Sequence, residues 1–223
     1  MVSLPEVISF VFIIITLAIS IGLHEYAHAY VSRKLWDPTP QFQWRLTPNP
    51  LAHIDPIGFL MIFLVNFWWG KPVQVNPMYY RNPVQWELMV ALAGPFTNLL
   101  LALAGACVIA IYSRIIGLNE FDLLQWVSYD YMIIFWLQFS YINIALAVFN
   151  MIPLPPLDGF RLIKTFFRPV AVLIEKYSFA ISIVFLLAIA LPGNFLGSAI
   201  GTYIHSVSST LFYWIFFLVS QIF

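Results

Sequence analysis

Charge is scarce in this chain. Ten Lys and Arg and ten Asp and Glu make up 9% of 223 residues and cancel to a formal net charge of zero. That leaves no basic excess for a nucleic-acid partner, and no run of like charge occurs. Thiols are scarcer still. Cys107 is the only cysteine, which excludes an intramolecular disulfide and a four-thiolate metal site. In its apolar run it reads as a small packing residue. No basic residue precedes Arg33, so the first apolar run lacks the positive start of a cleavable signal and is expected to be a retained helix. Polar stretches long enough for a soluble domain are also missing, so any regulation by an added domain is expected from a separate partner chain.

What the chain has in excess is apolar sequence. Hydrophobic residues make up 61% of it, far above the soluble average. Apolar runs fall at about Val7–Leu23, Leu88–Tyr112, Tyr131–Ile152, Val170–Pro192 and Ala199–Phe223. Each is about as long as a bilayer crossing requires. Ile57–Trp69 is shorter and is expected to be re-entrant or interfacial. Gln41 to Thr47 alternates polar and apolar, the period of a strand, and Val73-Gln74-Val75 alternates again between prolines. The expected fold is an all-α polytopic membrane protein. It has about five spanning helices, a re-entrant segment and a small β-hairpin or sheet on the cytoplasmic side. Residues 1–223 form one membrane-embedded domain, with a core at about 6–165 and further helices at about 170–223.

Basic residues orient this arrangement. Arg33, Lys34, Arg45, Lys71 and Arg81 lie between the first two spans, and Arg161, Lys164, Arg168 and Lys176 follow the third. The loop after the second span carries Glu120, Asp122 and Asp130. If Ile57–Trp69 does not cross, nine of the ten basic residues share one side, which the positive-inside rule makes cytoplasmic. The N-terminus is then outside, in a multi-pass protein of the cytoplasmic membrane.

Ionisable side chains in a membrane helix are a functional signal by default. His24-Glu25-Tyr26-Ala27-His28 is an HExxH pattern. Histidines four apart share one helix face and can reach one zinc ion, while Glu25 is placed as general base. The bland alternative is a pair of interfacial surface histidines. A catalytic zinc needs a third protein ligand, for which His53, His205 and the carboxylates compete. Asp158 stands out because it follows a helix broken by Asn150 and three prolines. Broken backbone at membrane depth is tolerated where it lines a cavity or is buried in protein. With two crossings between them, His28 and Asp158 also fall at the same membrane face.

HEYAH and "NMIPLPPLDG" (Asn150–Gly159) together resemble the site-2 protease family of intramembrane zinc metalloproteases. "ALAGPFTNLLLA", "NPLAHIDPIGF" and "KPVQVNP" resemble its compact bacterial and archaeal branch, which has no PDZ-like or CBS-like domain. The resemblance spans about Ile21–Gly159. It implies His24, His28 and Asp158 as ligands of one zinc per chain, Glu25 as general base, and a transmembrane protein or peptide as substrate within the lipid bilayer. Asn150, Asn98 and His53 are candidates for an oxyanion donor or for fixing a ligand. Each also has a structural reading, as a satisfied asparagine or a turn-shaping histidine. The alternating Gln41, Gln43 and Arg45 are expected to offer a strand edge to an extended substrate. An inactive scaffold of the same fold, or a metal transporter, are the competing functions.

Overall fold

A computed structural model describes residues 3–65, 68–117, 130–191 and 193–222. Among the described residues the regular structure is helical: α1 (Leu4–Lys34), a single turn α2 (Thr39–Phe42), α3 (Pro56–Val65), α4 (Pro83–Ile116), α5 (Tyr131–Asn150), α6 (Gly159–Phe166), α7 (Arg168–Lys176), α8 (Ser178–Ala190) and α9 (Phe195–Ser220). Short 3₁₀ turns occupy Pro50–His53 and Pro77–Tyr79.

Among the described residues four helices, α1, α4, α5 and α9, are long and apolar enough to cross a membrane. The fourth apolar run does not form one straight span. It breaks after Lys176 into α7 and α8, which meet at 77°. Counting that pair as one broken span gives five. Glu120 and Asp122 lie outside the described residues, while Asp130 caps α5 by accepting from the amides of Met132 and Ile133.

The short segment around α3 turns back on itself. Lys71 N–H donates to His53 O at 2.8 Å, and Ile54 forms an antiparallel bridge with Gly70. A segment whose entry and exit are hydrogen-bonded side by side does not cross a bilayer. Its ten-residue helix, about 15 Å long at ~1.5 Å per residue, is too short to do so in any case. Asn66 and Phe67, near its end, lie outside the described residues.

The expected β-hairpin is not there. That bridge is the only β pairing among the described residues. Gln41 and Phe42 belong to the α2 turn, whose amides bond back to Pro38 and Thr39, and Trp44 has a left-handed φ of +58°. Pro38 and Pro40 explain the difference. Each fixes φ near the helical value, which starts a turn and overrides a period-two pattern only seven residues long. Gln41, Gln43 and Arg45 therefore form no strand edge. Their side chains are engaged instead. Gln41 Oε1 accepts from Arg33, Gln43 donates to Gln74 Oε1, and Arg45 Nη1 donates to Ala52 O.

α1, α4 and α5 pack as a three-helix core around the buried face of α1. That face repeats every fourth residue: Thr16, Ser20, His24, His28 and Ser32. Small residues let the helices approach. A Cβ on Gly105 of α4 would lie 2.3 Å from Ser140 Oγ of α5. α9 seals the outside of α4 and α5, with Val207, Leu211 and Ile215 packed on Ala102, Ile144 and Val148. The Tyr141 hydroxyl of α5 also shares a hydrogen bond with His205 Nδ1 of α9 at 2.7 Å, a bond between helices.

Candidate metal centre

α1 carries His24 and His28 one turn apart on its buried face, and the broken segment after α5 carries Asp158 to the same point. The three ligand atoms converge. His24 Nε2 and His28 Nε2 are 3.0 Å apart, and Asp158 Oδ2 lies 3.1 Å from each. Both histidines are buried and the Asp158 side chain is 13% exposed.

Hydrogen bonds on the far side of each ring set what these atoms can do. His28 Nδ1 lies 2.7 Å from Val90 O, which can only accept, so this nitrogen carries the proton. The tautomer of His24 is fixed by a longer chain. Asn143 Nδ2 donates to Phe139 O at 2.9 Å, so its Oδ1 is left to accept from Asn98 Nδ2 at 2.9 Å. Asn98 Oδ1 in turn faces His24 Nδ1 at 2.6 Å and accepts its proton. In the neutral rings, the form that binds a metal, both Nε2 atoms are then lone pairs facing a carboxylate oxygen. Three acceptors at about 3 Å with no hydrogen between them repel, and a cation among them turns that repulsion into binding. Tetrahedral zinc with bonds of ~2.0–2.1 Å would set its ligands about 3.3 Å apart, close to the spacing observed. The residues present therefore fit zinc.

Glycine makes room for this arrangement. A Cβ on Gly94 would lie 2.5 Å from both Nε2 atoms, so only the absence of a side chain lets α4 pass this close. Pro95 follows it inside α4 and denies the Ala91 carbonyl its helical donor. Behind Asp158, Gly159 packs against backbone, with a virtual Cβ 2.3 Å from Met151 O.

Glu25 lies beside the cluster and is half-buried. Its Oε2 accepts from Val73 N–H at 2.8 Å, which orients the carboxylate and leaves Oε1 unengaged by this bond. The extended segment carrying Val73 is held at its other end by Asp37. Fully buried, Asp37 accepts from Asn76 N at 2.8 Å, Thr39 N at 2.9 Å and Ser32 Oγ at 2.7 Å, and Ser32 also meets Tyr80 Oη. Burial pushes the Asp37 carboxyl upward, but the hydrogen bonds outweigh it and hold the group below the ordinary aspartate value. Burial raises the Tyr80 phenol.

The other expected residues divide. Asn98 is in the network. Asn150 is not: its Nδ2 donates to Leu146 O, one turn back in its own helix, and it makes no hydrogen bond to the three donors among the described residues. His53 is fully buried with Nε2 2.9 Å from Thr47 O, so that nitrogen donates, and Nδ1 has no hydrogen-bond partner among the described residues. In this tautomer His53 has no free N–H for an oxyanion. Sequence reasoning missed Asn143, Asp37 and Val73. An amide in the middle of the apolar run Tyr131–Ile152 was the available signal for Asn143. For Val73, a backbone donor, the sequence holds no signal.

Comparison with known proteins places the chain in a family. A model of Peptidase family M50 matches residues 114–189, which include Asp158. The chain is 37% identical to the "Putative zinc metalloprotease YwhC" of Bacillus subtilis over 158 residues, 71% of this chain and 70% of that one. It is 30% identical to the "Putative zinc metalloprotease MJ0611" of Methanocaldococcus jannaschii, covering 73% and 75% of the two chains. It is 24% identical to the "Putative zinc metalloprotease Rip2" of Mycobacterium tuberculosis, covering 84% and 71%. No solved structure matches. Two of these relatives, 37% and 30% identical over more than two thirds of both chains, together with the apolar helices identify this multi-pass membrane protein as a member of Peptidase family M50, the site-2 proteases.

Proposed function

We propose that this chain is an intramembrane zinc metalloprotease that hydrolyses peptide bonds within or next to transmembrane segments, with one zinc per chain held by His24, His28 and Asp158. The observation that carries this reading is the convergence of three bare acceptors beside the carboxylate of Glu25. When bound, zinc supplies Lewis acidity toward the scissile carbonyl and the attacking water. Glu25 Oε1 takes the proton of that water and passes it to the leaving amine, while the Val73 amide holds Oε2 still. Asn98 acts through His24, keeping its proton on Nδ1 and its lone pair inward. The Pro50–His53 turn packs on Gly22 of α1, two residues before His24. The basic residues favour a cytoplasmic placement of this end of the bundle, with the N-terminus outside.

Purified wild type and Glu25→Gln, each assayed for bound zinc and for cleavage of a tagged transmembrane substrate, test the proposal. Zinc in both with cleavage only in wild type is expected, a loss of about 10²–10⁴-fold for a general base. Zinc-loaded wild type without cleavage would point to a scaffold, and metal uptake into proteoliposomes to transport.

A further inference from the structure

α6 and α7 follow Asp158 directly, yet most of their surface has no role in the metal centre. Both helices segregate apolar from charged residues. On α7, Val170, Leu173 and Tyr177 recur at i, i+3 and i+7 and are 50%, 61% and 52% exposed, while Ala171 turns inward. Phe166 and Phe167, at the junction of the two helices, are exposed as well. The opposite side of α7 carries Arg168, Glu175 and Lys176. Glu175 is paired with Lys164 of α6, and neither Arg168 nor Lys176 has a carboxylate partner among the described residues.

Two features say what covers this face. The 77° bend between α7 and α8 lays α7 nearly in the membrane plane when α8 follows the normal. The apolar face also continues into the exposed side of α8, with Phe179, Ile183 and Val184. A helix in that attitude, apolar below and basic along its flank, fits the boundary between acyl chains and headgroups. Its surplus of positive charge selects anionic headgroups, at about 1 kcal/mol per basic residue near the surface. We propose that α6–α7 is an interfacial anchor that binds anionic phospholipid, with Val170, Leu173 and Tyr177 in the acyl boundary and Arg168 and Lys176 on the headgroups. Because α6 starts one residue after Asp158, the anchor fixes the depth of the metal centre below the membrane surface.

The test uses the full chain in lipid nanodiscs and does not depend on peptide-bond cleavage, so its outcome is separable from that of the protease reading. In a Cys107→Ala background, spin labels at Leu173→Cys and Val172→Cys report depth. Position 173 is expected to be accessible to oxygen and shielded from an aqueous nickel reagent, and position 172 the reverse. In mixed phosphatidylcholine and phosphatidylglycerol, wild type should retain phosphatidylglycerol several-fold over phosphatidylcholine by native mass spectrometry. Arg168→Gln with Lys176→Gln should abolish that preference while zinc content stays unchanged, and high salt should reduce it in wild type. Equal aqueous access at both labels would overturn the proposal. So would the absence of a lipid preference in wild type, or one indifferent to both salt and the substitutions.

Discussion

At Gly94 a single methyl group decides whether the site exists. Its Cβ would sit 2.5 Å from both imidazole Nε2 atoms, so Gly94→Ala should lower zinc occupancy steeply while helix content, read by circular dichroism, stays the same. Asn143 acts at greater distance. Replacing it with Ala removes the shorter of the two bonds that Asn98 Nδ2 donates, leaving Ser20 O at 3.5 Å, and so loosens the orientation that keeps the proton on His24 Nδ1. Loss of such a supporting partner should weaken zinc by about 10–100-fold, checked by competition with a calibrated chelator. The two asparagines were unequally legible in the sequence. Asn98 stands in a recognisable motif, whereas Asn143 becomes meaningful only when packing brings it onto Asn98. His24, Glu25, His28 and Asp158 stood out because ionisable groups are so rare in this chain. The tautomers, which make the rings usable, belong to the packing alone.

Among the elements, the loop after α1 depends on Asp37. Its carboxylate joins the end of α1, the α2 turn and the segment that reaches Glu25 through Val73. Because its folded value is depressed, the stability it contributes is fully present above the unfolded value of ~3.9 and is lost as pH falls below that toward the folded value. Wild type in detergent should therefore melt at lower temperature as pH falls from 5 to about 3. Asp37→Asn should cost about 2 kcal/mol at pH 7, the scale of hydrogen bonds to a charged group, and flatten that acid dependence. Element boundaries show where sequence reading reaches its limit. The short run Ile57–Trp69 is legible from length alone, and its helix α3, ten residues long, is not among the helices long enough to cross a membrane. The alternation from Gln41 to Thr47 misled, because Pro38 and Pro40 set the local backbone before side-chain pattern could. The break after Lys176 showed in the sequence only as two charges at the edge of an apolar run, and its 77° angle not at all.

For the whole molecule, zinc is expected to act as a staple between distant parts of the chain. Removing it with a chelator should lower the melting temperature. Restoring free zinc to a hundred times its dissociation constant should recover about 2.7 kcal/mol. His24→Ala should abolish that response and leave a protein that melts the same with or without metal. The hydrogen-bond chain from Phe139 O through Asn143 and Asn98 to His24 gives this staple a second property. It makes the electronic state of a ligand on α1 depend on the register of α4 and α5. Metal affinity and closure of the three helices are thus one linked equilibrium, and linkage is reciprocal. A substrate helix that wedges α5 away from α1 would loosen the metal by the same free energy with which the metal resists the wedge. On the proposed reading, the protein would then admit a guest only as far as it can do so without giving up the bound ion.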